Sequence, residues 1–210
     1  MRNVFIFCAA LLITAGISAQ SLQMVNANYP GIYCRFDPNC HVSANEQSDS
    51  ITTTNGAATC VLMSRSFPGT SLDTKGRYGY EYQLTINGNV PTIETNIVTV
   101  NSLSLPFGAP DHFSFSQRAS NEVWVVIAGG PTGLAPASAS MEETNVIISF
   151  DPPLSLDTLS DQSSTNTLVF GLMSDGAPQP AMAILTGSTE DPVHGKLSFK
   201  LKMRAQCPAP

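Results

Sequence analysis

Residues 78 to 86 read YGYEYQLTI. Successive side chains of an extended chain point to opposite faces, so this stretch puts Tyr78, Tyr80, Tyr82, Leu84 and Ile86 on one side. A helix would need apolar positions three and four apart, and none recur that way here. Asn87-Gly88 follows directly, a dipeptide that predicts a tight hairpin. The next stretch, IVTVNSLSLPF over 97 to 107, holds Val98 and Val100 in one phase and Leu103, Leu105 and Phe107 in the other. A one-residue shift near Asn101-Ser102 predicts a β-bulge.

The same grammar extends in both directions. Further strands are expected at 113–117, 123–128 (VWVVIA), 145–150 (NVIISF), 168–173, 181–186 and 196–204. Turn formers separate them, among them Gly129-Gly130-Pro131, Asp151-Pro152-Pro153, Asp175-Gly176 and Asp191-Pro192. About eight to ten short strands with such punctuation predict an all-β fold, an antiparallel β-sandwich. VWVVIA and NVIISF are apolar on both faces and belong in the middle of a sheet. Residues 41–59, 130–144 and 154–167 are polar and read as loops, with Ile51 opening at most a short edge strand. Residues 20–59 form a loop-rich segment with a disulfide turn, joined to a sandwich over 60–210 in a single domain, which suits a chain of 210 residues.

Residues 1–19 carry one early cation, an apolar run (VFIFCAALLITAGI) and small residues at Ser18-Ala19, the pattern of a secretory signal peptide. The expected localisation is therefore secreted, periplasmic or extracellular, with no membrane span in the processed chain. A net charge of −6 argues against nucleic acid as a partner. Past the leader the cysteines are Cys34, Cys40, Cys60 and Cys207, an even set in an oxidising compartment, which predicts a disulfide-stapled fold. Haem attachment and thioredoxin-like chemistry fail on spacing, because five residues separate Cys34 from Cys40. Zinc on Cys34, Cys40, His41 and Cys60 is the lesser alternative, since the adjacent Cys40 and His41 rarely both aim at one tetrahedral ion. Three pairings are open; the preferred one joins Cys34 to Cys40 across Asp37-Pro38 and leaves Cys60 with Cys207 as a long-range clamp.

The segments YGYEYQLTI (78–86), SLSLPFG (102–108), VIISFDPPLSL (146–156) and LVFGLMSDGAPQPAMAIL (168–185) together resemble exported bacterial β-sandwich proteins of the PEP-CTERM-associated kind. The resemblance implies a secreted, non-catalytic sandwich. The chain departs from the anchored members by ending in FKLKMRAQCPAP, which has no apolar anchor.

No motif calls for a cofactor or metal. His41, His112 and His194 are the only histidines, and Asp111-His112 point to opposite faces if extended, so a secreted hydrolase is the third reading. Asp151, Asp157, Asp161 and Asp175 lack calcium-loop spacing and read as solvated turn carboxylates. Tyr78, Tyr80 and Tyr82 could stack on sugar rings as a carbohydrate-binding module, or line the inner surface of the sandwich. Trp124, within VWVVIA, reads as core. In the last strand Leu197, Phe199, Leu201 and Met203 alternate with Lys196, Lys200, Lys202 and Arg204, one face burying and the other carrying four cations. Those cations guard a sheet edge or dock a polysaccharide or another envelope protein. The leading expectation is a structural or adhesive binding module at or outside the cell envelope.

Overall fold

The stretch at 78–86 lies inside β4 (Tyr78–Gly88), with Tyr80, Tyr82, Leu84 and Ile86 in the core as the alternation requires. The computed structural model describes residues 19–53, 56–89, 97–111, 121–157, 163–191 and 195–209. Around β4 run β1 (Gln20–Asn28), α1 (Tyr29–Phe36), β2 (Asn45–Thr52), β3 (Ala58–Pro68), β5 (Ile97–Leu105), β6 (Glu122–Ala128) and β7 (Ser138–Glu142). The chain continues through β8 (Asn145–Asp157), β9 (Ser164–Asn166), β10 (Phe170–Ser174), β11 (Pro178–Asp191) and β12 (Gly195–Pro208).

The fold is mostly β, but its strands form one continuous sheet in the order β12-β11-β5-β8-β7-β1-β6-β10-β4-β3-β2, with β9 added to β4. The sheet curls until its two ends nearly meet in a barrel-like shape. Two separate antiparallel layers were the expectation. The difference lies in β1, which pairs antiparallel with β7 and parallel with β6, and so fuses what would be two sheets. Where β12 approaches β2 and β3, side chains take the place of a strand ladder. Arg204 N–H donates to Asp49 Oδ2 at 2.6 Å, Gln206 N–H donates to Ser64 Oγ at 2.9 Å, and the Tyr82 hydroxyl donates to the Gln206 carbonyl at 2.7 Å. These bonds satisfy edge groups that would otherwise invite another strand.

Several sequence expectations hold. The register shift in β5 falls between Val100 and Ser102, and β6 and β8 are interior strands. Val123 and Val125 of β6 face the main core, while Trp124 and Val126 face a second apolar cluster on the sheet's outer side.

Others do not. Asn87-Gly88 is no hairpin turn: both residues lie in the ladder, Asn87 opposite Thr59 and Ser164 and Gly88 opposite Ala58. With partners on both sides the strand runs on, and β5 joins β8 and β11 instead of β4. The loop-rich reading of 20–59 misses β1, α1 and β2, polar strands being stabilised here by neighbours that sequence alone does not reveal. β7, the end of β8 and β9 likewise occupy parts of 130–144 and 154–167. The strand expected at 113–117 and all but the last residue of the leader expected at 1–19 lie outside the described residues. No helix among the described residues is long and apolar enough to cross a membrane.

The helix has local causes. The Asn28 side chain caps it by accepting the Gly31 N–H at 2.7 Å, and Pro30 occupies its first turn. Ile32 and Phe36 anchor it to the sheet, Phe36 meeting Phe67 edge-on at 4.9 Å. After it, Asp37 accepts from Asn39 N–H and the Thr70 hydroxyl, and Thr70 N–H donates to the Phe36 carbonyl, tying the helix end to the β3–β4 loop.

Candidate functional site

The cations of β12 stand where the alternation put them. Lys196, Lys200, Lys202 and Arg204 are exposed, while Phe199, Leu201 and Met203 point inward. Leu197 departs from this pattern: it is half exposed, at the end of the strand where the core runs out. Directly across the ladder, Lys202 faces Ile184 and Arg204 faces Met182, and Ile184 in turn faces Ser104 of β5. Met182 and Ile184 are 48% and 36% exposed. At this end of the strands the outer face thus sets two cations beside two apolar side chains, while further along Lys200 faces Thr186 and Lys196 faces Glu190. Same-face residues of one strand repeat about every 7 Å, so the cations form a straight row.

The tyrosine row is a different matter. Tyr80 and Tyr82 are fully buried, and their hydroxyls donate to the carbonyls of Gly176 (2.6 Å) and Gln206 (2.7 Å). Of the two readings of this face, the lining of the interior holds for Tyr80 and Tyr82, and an exposed aromatic row for stacking on sugars is not formed. Only Tyr78, at the strand's start, reaches the surface in part.

The Cys34–Cys40 bridge forms, spanning the turn from the exposed side of α1. Cys60 and Cys207 do not pair. Cys60 lies level with Ile51 and Ile86, whereas Cys207 follows Gln206, which bonds to Ser64 four residues further along β3. At about 3.3 Å per residue the two levels are about 13 Å apart, beyond bonding reach. The seam hydrogen bonds do what that bridge was expected to do. Burial pushes both thiols up to about 11, which keeps them protonated and inert. A thiol titration of the chain from Gln20 onward should count none in the native state and two after denaturation; none in both states would mean a second bridge after all.

The most concentrated buried chemistry escaped the sequence reading. On the sheet's outer side, beneath α1, Arg65 of β3 sits opposite Glu81 of β4. Arg65 donates to Glu81 Oε2 from Nε (2.6 Å) and Nη2 (2.5 Å), and the Trp124 indole N–H donates to Oε1 at 3.2 Å. Nη2 also donates to the Tyr33 hydroxyl, and Glu46 Oε1 lies 3.9 Å from Nη1. Tyr29 and Tyr33 stack on each other at 5.2 Å, and the guanidinium lies 4.9 Å from the centre of the Tyr29 ring, a cation–π contact. Near-complete burial raises the Glu81 carboxyl above its usual range; Arg65 and Trp124 oppose that rise. A signal existed. A hairpin centred on Asp73 places Arg65 opposite Glu81, both in the phase that faces away from the tyrosines.

His112 and His194 lie outside the described residues, and Asp111 forms an ion pair with Arg77 at 2.8 Å. Of the four turn aspartates, Asp161 is also outside them, and no group of three or more metal-ligating side chains occurs among the described residues. No protein family, curated protein or solved structure matches the chain.

Proposed function

We propose that this chain is an exported, non-catalytic binding module whose contact surface is the outer face of β12 and β11 and whose partner is an anionic polysaccharide. The observation that carries this reading is the exposed row of Lys196, Lys200, Lys202 and Arg204, the last two of which lie opposite the exposed Ile184 and Met182. A straight row of cations suits a linear polymer better than a compact anion, and the flanking apolar side chains offer a surface for the faces of sugar rings. Export is supported by the leader pattern and the Cys34–Cys40 bridge, and the architecture is read as a sandwich-like scaffold whose two sheet halves face each other across the main core.

Binding to alginate, polygalacturonate and heparin, with neutral dextran as control, tests it. The chain should bind at least one of the polyanions, more weakly as salt rises. Lys200→Glu/Lys202→Glu should weaken that binding about tenfold or more, since two attractions become two repulsions. Equal binding by the double variant, or none by the parent chain at low salt, overturns the proposal.

A further inference from the structure

A second site lies where the two ends of the curled sheet come together. There a cleft of about 350 Å³ opens between Asn45 of β2, Ser66 and Pro68 of β3, Tyr78 of β4 and Pro178 of β11. Strands from both halves of the sheet contribute, so the cleft exists only because the sheet curls. Ser66 is 1% exposed, and its hydroxyl has no hydrogen-bond partner; neither has the buried carbonyl oxygen of the Gln47 side chain. A buried polar group left unpaired costs about 1–3 kcal/mol, so the Ser66 hydroxyl in the wall of this cleft calls for a partner supplied from outside.

The chemistry of the walls defines that partner. Apart from the Tyr78 phenol the lining has no ionisable side chain: it offers hydroxyls from Ser43 and Ser66, the Asn45 amide, the half-buried Tyr78 ring and two proline rings. Such walls give a charged ligand no counter-charge, whereas a molecule with many hydroxyls and a flat apolar face meets a partner at each surface. The volume falls at the small end of ligand pockets. We infer that this cleft binds one or two units of a neutral saccharide, with Ser66 and Asn45 as hydrogen-bonding residues and Tyr78 as the stacking surface. The site is separate from the basic row on β12.

Titration of the ¹⁵N-labelled chain with glucose, galactose, N-acetylglucosamine, cellobiose and lactose tests the inference. At least one probe should shift the backbone amides of Asn45, Ser66 and Tyr78 in a saturable way, while those of β12 stay still. Ser66→Ala and Asn45→Ala should each weaken binding about tenfold, as when one partner of a polar contact is lost. Asn45 is exposed, so its variant keeps the test alive if Ser66→Ala fails to fold. Lys200→Glu/Lys202→Glu should bind the saccharide unchanged, which separates failure of this site from failure of the polyanion surface. No saturable shift with any probe, shifts located elsewhere, or unchanged affinity in Asn45→Ala overturns it; in those cases the Ser66 hydroxyl is served by water.

Discussion

Arg65→Ala is expected to lower the unfolding free energy by about 3–5 kcal/mol, the usual loss when one member of a buried ion pair is removed. The substitution strands the Glu81 carboxylate, 1% exposed, with Trp124 as its remaining hydrogen-bond donor. It also takes the guanidinium from beneath Tyr29 and Tyr33, so α1 loses its polar anchor together with part of its packing. Trp124 is the only tryptophan and touches Glu81 directly, so its fluorescence during urea unfolding reports on this site.

The loss should depend on pH. Burial already raises the Glu81 carboxyl in the folded chain, and removing Arg65 leaves that rise unopposed. A carboxyl whose folded pKa exceeds its unfolded value binds its proton more tightly when folded. Its favourable contribution is therefore complete below the unfolded pKa of about 4.3 and disappears as pH rises through the folded value. The deficit of Arg65→Ala relative to the parent chain should be largest near pH 8 and shrink toward pH 4.5. A deficit that stays constant with pH would mean that the variant fails through lost packing alone. The double variant Arg65→Met/Glu81→Leu, which removes both charges and keeps volume, should recover most of the stability.

The parts of the fold that were legible in the sequence are those governed by period two. Tyr80, Tyr82, Leu84 and Ile86 line the core because alternation alone sorts them, and the β5 bulge shows as a change of phase. The polar strands were not legible. β2 reads NEQSDSIT, with no buried residue, and is a strand because β3 offers it a free edge and because Asp49 reaches Arg204. β1 buries only Leu22 and Ala27, yet it joins the two halves of the sheet. Its role depends on β6 and β7, about a hundred residues away in the chain. The basic row on β12 was legible because exposure and alternation are both local. The Arg65–Glu81 pair required a register, and registers are set by turns whose centre a pattern of strands does not reveal. The thiols of Cys60 and Cys207 were misassigned for the same reason: counting cysteines gives parity, and only register gives distance.

Trp124 offers the second large effect, in two separable parts. Trp124→Ala should cost about 3–5 kcal/mol, since it opens a cavity in the cluster of Phe36, Phe67, Val126 and Met173. The cavity should collapse poorly. The backbone of β10 already lies close to the indole at Gly171, where an added β-carbon would come 2.5 Å from the ring. Trp124→Phe fills most of the space and chiefly removes the indole N–H that serves Glu81 Oε1, so its loss should be smaller, about 1–3 kcal/mol. Because Trp124 and Arg65 both donate to one carboxylate, their effects should not add. With Arg65 gone, Glu81 takes up a proton more readily and needs the indole less, so Arg65→Ala/Trp124→Phe should lose measurably less than the two single losses combined. Chemical denaturation followed by circular dichroism gives all four free energies without relying on the deleted fluorophore. Strict additivity would show that the indole serves the cluster only as volume and that its bond to Glu81 carries no share of the stability.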